Sequence, residues 1–294
     1  MKKGNPVFKI ISLTVLVVWA AVMLFMLVWG LIASFKHSLD LMWYPTAIFP
    51  DGELGWHFEN FLTAYQIMYV SVDRSLGVTD YIYFEQMLLN SVVWSVGSAF
   101  LNTFTCALVS YCCARFSSRL FSKIIYTVTI VSMTIPIVGS LPSQMQLVRF
   151  LGIEDTHFVI PFMKLTFNSS YFLVFYAIFR KLPASYHEAA EIDGAGHWRI
   201  FFKIVIPLIG NTFIAVFVLF FISYWNDYQT PMLYMPSYPT ISQGLFEFQN
   251  SRNKYASDPV KLAACFIVCL PSLVAFLIFR EKIMENVAMG GLKG

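Results

Sequence analysis

Charged side chains are scarce in this chain. Asp, Glu, Lys and Arg make up 13% of its 294 residues, while hydrophobic residues make up 57%. A soluble domain has roughly a quarter charged residues. A soluble chain of 294 residues has no core large enough to bury so much apolar surface. The composition therefore excludes an ordinary soluble domain and indicates a polytopic membrane protein.

The sequence also lacks the motifs of several enzyme classes. It contains no Gly-Lys pair and therefore no Walker A phosphate loop. His187-Glu188-Ala189-Ala190-Glu191 has a glutamate where the zinc-protease pattern needs its second histidine. The cysteines show no zinc-like spacing and fall within apolar runs, where cysteine usually serves as a small hydrophobe. We expect a non-enzymatic chain with no catalytic, cofactor or metal site.

Long apolar runs predict an all-α membrane protein with six transmembrane helices, since a span needs roughly 20 apolar residues. The predicted spans are residues 8–34, 86–113, 124–147, 157–179, 204–228 and 261–279. Pro136 and Pro142 interrupt the third.

Lys and Arg in the connections predict the orientation. They are more than twice as numerous at the two termini and in the second and fourth connections as in the other connections. By the positive-inside rule, both termini and the fourth connection are cytoplasmic. The first connection, residues 35–85, is then outside; it is acidic and long, and we expect an ordered loop. We divide the chain into a first span with its extracytoplasmic loop, residues 1–82, and a transmembrane domain, residues 83–294.

The fourth connection predicts a short cytoplasmic helix over residues 183–193. Ser185 and Glu188 fit a capping box. Gly194 stands where a helix commonly ends, because glycine tolerates the left-handed conformation. A second helical run is predicted to begin near His197 and to lead into the fifth span.

This connection resembles the EAA motif of permease subunits in binding-protein-dependent, ATP-driven (ABC) importers. The residues that match at the family's spacing are Glu188-Ala189-Ala190, Gly194, Ile204 and Pro207, with Ile206 in place of the usual leucine. The resemblance implies a coupling helix between spans four and five that docks into a separate ATP-hydrolysing subunit. The residues assigned to this coupling are Glu188, Ala189, Ala190, Glu191, Asp193 and Gly194. The alternative is that Glu188 only caps its helix and the alanines are plain helix formers.

The wider sequence is similar to the maltose-type inner-membrane subunits over about residues 83–294. The similar segments include Ala114-Arg115-Phe116, Leu151-Gly152-Ile153, Trp225-Asn226-Asp227 and Gly291-Leu292-Lys293-Gly294. Arg280-Glu281-Lys282 departs from the expected Gln-containing junction. The resemblance implies four kinds of partner besides the lipid bilayer: a second permease subunit, two ATP-binding subunits, an extracytoplasmic solute-binding protein and a sugar. It implies no nucleic acid.

Lys164 is a basic residue inside a predicted span. Intramembrane charges are functional candidates, and Asn168, Ser169 and Ser170 on the same span could bind sugar hydroxyls. We therefore assign Lys164, Asn168 and Ser169 to a substrate pathway. The alternative for Lys164 is snorkelling to the membrane surface. Trp94, Tyr224 and Trp225 could stack on sugars, although Trp225 and Tyr228 fit an interfacial aromatic belt better.

Together these features predict a multi-pass permease subunit of an ABC sugar importer in the bacterial inner membrane, forming half of the translocation pathway for a di- or oligosaccharide. ATP would be used by partner subunits. One alternative is the same machine carrying another solute. Another is an ion-coupled secondary transporter, which would need intramembrane carboxylates that the spans almost lack.

Overall fold

The computed structural model describes residues 6–74, 78–135 and 139–290, and most of them are helical. The first helices and the two strands are α1 Pro6–Ser34, α2 Ser38–Trp43, α3 Glu59–Ile67, β1 Tyr69–Arg74, β2 Val78–Tyr83 and α4 Phe84–Arg115. Next come α5 Leu120–Thr134, α6 Leu141–Phe150, α7 Val159–Lys164, α8 Ser170–Lys181, α9 Ser185–Ile192 and α10 His197–Ile200. A π-helical segment, Phe201–Val205, leads to α11 Ile206–Leu208, α12 Gly210–Trp225, α13 Gln229–Tyr234, α14 Ile241–Asn250 and α15 Asp258–Gly290.

The prediction of an all-helical chain is wrong in one detail. β1 and β2 form a two-stranded sheet within the first connection, and the Thr79 hydroxyl donates to Asp73 Oδ1 across it at 2.8 Å. Within β1, the β-branched Val70 and Val72 alternate with the polar Ser71 and Asp73, which is the pattern of a strand. In its described parts, residues 35–74 and 78–85, the connection is ordered, as predicted.

Membrane-spanning character is clearest in three helices of the described residues. Val7–Ser34, Phe84–Arg115 and Asp258–Met284 are long and apolar enough to cross a bilayer. His197–Leu208 and Gly210–Trp225 meet the same criteria together but are bent by 81°. The shorter apolar helix Leu120–Thr134 overlaps the predicted third span, residues 124–147.

The predicted fifth span, residues 204–228, is not one straight helix, because the chain bends just before α12. The straight helix begins at Gly210, six residues later than expected. Pro207 lacks the amide that would bond to the Lys203 carbonyl, and its ring crowds that carbonyl. The π-helical segment absorbs this mismatch just before the proline.

The predicted third and fourth spans are not continuous helices. α5 ends at Thr134 and α6 begins at Leu141, with Pro142 in its first turn. Four features used in the sequence analysis lie outside the described residues: Lys2, Lys3, Pro136 and the segment 291–294. The fourth span is divided between α7 and α8, with residues 165–169 non-helical. The predicted sixth span is shorter than α15, which contains Pro271 without ending there.

The chain divides into two compact units, and the first comprises residues 1–70 and 244–270. In this unit the Lys36 ammonium is fully buried, donates to the Ala47 carbonyl at 2.8 Å and lies 3.7 Å from Asp40. Asn60 donates to the carbonyls of Ser34 and Lys36, both at 2.9 Å. These bonds fix the chain where it leaves α1.

The second unit comprises residues 71–243 and 271–294. Its largest apolar core is formed by α4, α8, α9, the π-helical segment and α12. A second core joins Trp94 of α4 to Val148 of α6, Ile160 of α7 and Tyr234 of α13. α4 runs through both cores and carries most of the contacts that position the sites below.

Candidate functional site

The short helix predicted in the fourth connection is present as α9, Ser185–Ile192. The predicted capping box is wrong, because Ala184 is the N-cap, Ser185 is already helical and no side chain caps the helix. The Ala184 carbonyl instead accepts from the amides of His187 at 2.9 Å and Glu188 at 3.1 Å. The carboxylate of Glu188 is therefore not used as a cap.

Gly194 ends α9 in the predicted left-handed conformation, with φ of 75°. The Ala195 amide donates to the Ala190 carbonyl at 2.9 Å, and the Gly194 amide donates to Glu191 at 3.0 Å. This pair of bonds is the Schellman arrangement, which satisfies the last carbonyls of a helix and turns the chain sharply. The turn places α10 directly after α9.

The inner face of α9 is held against α4. His187 Nε2 lies 2.9 Å from the Tyr111 hydroxyl, and both residues are buried. One turn further, the Arg115 guanidinium donates to Glu191 at 3.1 Å. Ala190 lies between these contacts, is 6% exposed and packs in the large apolar core. This residue, assigned to coupling, therefore touches the chain's own core.

The outer face of α9 makes no such contacts among the described residues. Glu188, Ala189 and Asp193 are exposed, and so are two large apolar side chains, Tyr186 and Ile192. Ile192 is 85% exposed. Exposed apolar side chains grouped with acidic ones on a short, fixed helix are a typical protein-docking surface.

Burial and the nearby Arg115 guanidinium lower the pKa of His187 below its ordinary value, and Glu191 opposes them. The neutral imidazole is thus the form that suits the docked helix. It bonds to Tyr111 without placing a charge beside Arg115.

The predicted pathway residues Lys164, Asn168 and Ser169 lie in one cavity of about 520 Å³. The break between α7 and α8 forms part of its wall. The lining residues are Asn102, Met133, Met163, Lys164, Thr166, Asn168, Ser169, Ser170, Phe220 and Tyr224. Non-helical backbone at membrane depth is tolerated where it is buried in protein or lines a water-filled cavity, so the break and the cavity support the same interpretation.

Aromatic rings fix the ammonium group of Lys164. It lies 4.3 Å from the centre of the Tyr224 ring and 4.9 Å from the centre of the Trp94 ring. The Tyr224 hydroxyl accepts from Asn102 at 2.6 Å. The side chain does not snorkel along an apolar surface but is held at the cavity by α4 and α12.

Five residues of this lining were not predicted from the sequence: Asn102, Met133, Met163, Thr166 and Phe220. A signal for Asn102 is present. Small polar residues recur on α4 at helical spacing, at Ser91, Ser95, Ser98 and Asn102, and all four are buried. Such a stripe marks the side of a membrane helix that faces protein. Phe220 had no comparable signal among its apolar neighbours.

The aromatic predictions had mixed outcomes. Tyr224 lines the cavity, and the Trp94 ring contacts the ammonium group of Lys164. Trp225 is 2% exposed and its carbonyl accepts from the Ser242 hydroxyl, so its assignment to an interfacial belt is wrong.

Membrane-crossing helices, a surface helix fixed on one face and a polar cavity beside a broken helix define a membrane transport subunit. Comparison with known proteins gives the family. The family model for binding-protein-dependent transport system inner membrane components matches residues 106–281. The chain belongs to this family and is a multi-pass inner-membrane permease subunit of an ABC importer.

Individual relatives extend the match along the chain. It is 28% identical over 287 residues to the diacetylchitobiose uptake system permease protein NgcG of Streptomyces coelicolor, covering 96% of this chain and 88% of the relative. It is 27% identical over 221 residues to the lactose transport system permease protein LacG of Rhizobium radiobacter, covering 72% and 78%.

A solved structure supports the fold. A chain of a bacterial ABC transporter involved in the import of the acidic polysaccharide alginate superimposes with a TM-score of 0.75 and 16% identity, covering 96% of this chain and 98% of that one. Members of the family act with other transporter components and are generally non-catalytic. Family membership disfavours the ion-coupled alternative.

Proposed function

We propose that this chain is one of two pore-forming permease subunits of an ATP-driven sugar importer, and that α9 couples it to an ATP-hydrolysing partner. The assembly would contain a second, related permease, two ATP-binding subunits and an extracytoplasmic solute-binding protein. ATP is used by the partners, since the sequence lacks a Walker A loop.

The observation that carries the proposal is the two-faced geometry of α9. Its inner face is fixed to α4 by Tyr111–His187 and Arg115–Glu191. Its outer face presents Glu188 and Ile192 to a partner. A helix joined rigidly to the permease and open on its other side can transmit a partner's movement.

Six spans with both termini in the cytoplasm are part of the proposal. The spans would be α1, α4, α5 with α6, α7 with α8, the bent segment ending in α12, and α15. The excess of Lys and Arg around α9 and at the termini supports this orientation. The boundary near residue 82 between the first span with its loop and the remaining domain also stays a prediction.

A sugar is the proposed solute for two reasons. The relatives are described as permeases for diacetylchitobiose and lactose. The cavity offers amide and hydroxyl groups from Asn102, Asn168 and Ser169, with the Tyr224 ring beside them. Its volume of about 520 Å³ lies within the range of about 300–1,000 Å³ that is usual for ligand sites.

The coupling role is tested by Glu188→Lys, which reverses the charge of the outer face without touching the contacts to α4. We expect the protein to insert normally but to lose co-purifying ATP-hydrolysing subunits. Glu53→Lys, a charge reversal at an exposed position of the first connection, is the matched control and retains them. If Glu188→Lys and the control retain equal amounts of the partner, α9 is not the docking element.

The energy source is tested in proteoliposomes that contain the assembled complex. Sugar uptake is expected to require ATP and to persist when an uncoupler removes the proton gradient. Uptake abolished by the uncoupler at constant ATP would contradict the proposed function.

A further inference from the structure

We infer that the Lys164 ammonium binds an anionic group of the transported solute, so that the importer carries a sugar bearing a carboxylate. This inference rests on the proposed function, because it assigns a substrate class to the same cavity. It concerns the charge of the sugar, which neither the family nor the coupling helix determines.

The first observation is that Lys164 lacks an oxygen partner. Within residues 6–74, 78–135 and 139–290, no carboxylate lies within 4.0 Å of its ammonium group and no hydrogen bond from that group is formed. Asp227 acts on it only by longer-range attraction, and the Asp227 carboxylate accepts from the Thr230 amide at 3.0 Å. The three N–H donors of Lys164 are therefore available to a ligand.

The second observation is the position of that charge. The rings of Tyr224 and Trp94, at 4.3 and 4.9 Å, fix the ammonium at the cavity wall. Each ring face attracts the cation, but neither ring can accept the directed hydrogen bonds that an oxygen would. A partly buried cation whose direct contacts are aromatic rings gains strongly from a carboxylate that enters hydrogen-bonding distance.

The third observation is that the charge of the cavity lining is positive. Lys164 is the charged residue among the ten that line the cavity, and the others are amides, hydroxyls or apolar groups. The N-terminus of α8, at Ser170, is also part of the lining, and helix N-termini carry partial positive charge. A neutral sugar would use only the amides and hydroxyls, whereas an acidic sugar would use the cation as well.

A purely structural brace between α4, α7 and α12 is the competing role for Lys164. A brace needs the two ring contacts and is indifferent to the charge of the solute. A charge-binding role instead makes transport of acidic and neutral sugars respond differently to substitution of Lys164. The two roles therefore give different results with a matched pair of sugars.

The test uses the assembled importer with its binding protein in proteoliposomes. The probes are a disaccharide of uronic acid and the neutral disaccharide of the same linkage. Each variant is compared with the unaltered complex for the same sugar, which cancels selection by the binding protein. Lys164→Met removes the charge and keeps an unbranched side chain, while Lys164→Arg keeps the charge. Size-exclusion chromatography confirms that each variant complex is assembled.

The unaltered complex is expected to take up the uronate disaccharide. Lys164→Met is expected to lower that uptake about tenfold or more, because a hydrogen-bonded charge contact is lost. Lys164→Arg should retain most of it. An equal loss for both sugars in Lys164→Met would overturn the inference and leave the brace. ATP-driven uptake of the neutral sugar alone would also overturn it while the proposed function stands; no ATP-driven sugar uptake at all would overturn both.

Discussion

The Tyr111 hydroxyl lies 2.9 Å from His187 Nε2, although the two residues are 76 positions apart in sequence. Arg115 and Glu191 repeat this pairing one turn along both helices. The helix that carries Tyr111, α4, also reaches the cavity at Asn102. Asn102 lies about 14 Å from Tyr111 along the helix axis, at 1.5 Å per residue. A single continuous helix thus joins the proposed docking element to the proposed sugar cavity.

Charge reversal at Arg115 tests this connection. Arg115→Glu places two carboxylates together and should lower the amount of sugar transported per ATP hydrolysed. The pair is partly exposed, at 32% and 43%, and such pairs contribute about 0.2–1 kcal/mol, so the loss should be several-fold and not complete. The measurement is uptake and ATP hydrolysis on the same proteoliposomes.

The double variant Arg115→Glu with Glu191→Arg restores the opposite charges and should recover most of the coupling. Lys123→Glu, on α5, is the control for a charge change at the same end of α4. No recovery in the double variant would show that the Arg115–Glu191 pair does not connect α4 to α9.

Acid should loosen α9 through His187. Its pKa is lowered in the docked state, so undocked α9 takes up a proton at the ordinary value of about 6.5 while docked α9 does not. Stability of the docked state is therefore present in full above that value and is lost as the pH falls below it, until the docked pKa is reached. The ionisable groups that act on His187 are Arg115, Glu191 and His197.

Hydrogen exchange of the α9 amides between pH 7.5 and 5 measures this effect after correction for intrinsic exchange rates. Protection should fall with acid in the unaltered protein. In His187→Gln, which keeps a polar side chain but does not titrate, it should change far less. An equal pH dependence in both proteins would assign the effect to another group.

Gly194→Ala should destabilise the end of α9. The added Cβ would meet nothing within 4 Å, so the cost comes from the backbone, where φ is 75°. An alanine in the left-handed region costs about 1 kcal/mol or slightly more, which corresponds to about fivefold faster exchange of the α9 amides. Gly196→Ala is the matched control: it also has open space, but its φ is −71°. Equal effects of the two substitutions would refute the backbone explanation.

Tyr224→Phe isolates the hydrogen bond from Asn102 at the cavity. The ring contact with Lys164 is retained, but the Asn102 amide loses its acceptor at 2.6 Å. Asn102 is 5% exposed, and an unsatisfied buried donor costs about 1–3 kcal/mol. We expect a lower midpoint of thermal unfolding for the complex, measured by fluorescence. Tyr176→Phe, on α8, is the control, because phenylalanine keeps the ring contacts of Tyr176 with Tyr126 and Phe172. An unchanged midpoint in Tyr224→Phe would mean that water satisfies Asn102.

Local sequence signals predicted the features that depend on neighbouring residues. Gly194 predicted the end of α9 because a left-handed residue is needed there, and the start of α10 near His197 followed from the same pattern. The capping box failed because the helix begins at Ser185 itself, so the hydroxyl is one position too late to act as a cap. Periodicity also does not reveal the two-stranded sheet of β1 and β2, because the first connection as a whole has the composition of a polar loop.

Contacts between segments that are distant along the chain could not be predicted from the sequence. Lys164 could be selected as an intramembrane charge, but its ring contacts depend on how α4 and α12 pack around α7. The pairing of His187 with Tyr111 likewise needs the bend after Gly194 and the packing of α9 on α4. No local pattern in one chain connects residues that are 76 positions apart.

The most direct measurement of the central claim uses a cysteine at Ala189, an exposed position on α9, in the assembled importer with its native cysteines replaced. We predict that a short bifunctional thiol reagent joins position 189 to the ATP-hydrolysing subunit, and that a membrane-impermeant thiol reagent reaches position 189 only from the cytoplasmic side. Labelling from the external side, or free labelling with no cross-link to that subunit, would contradict the account.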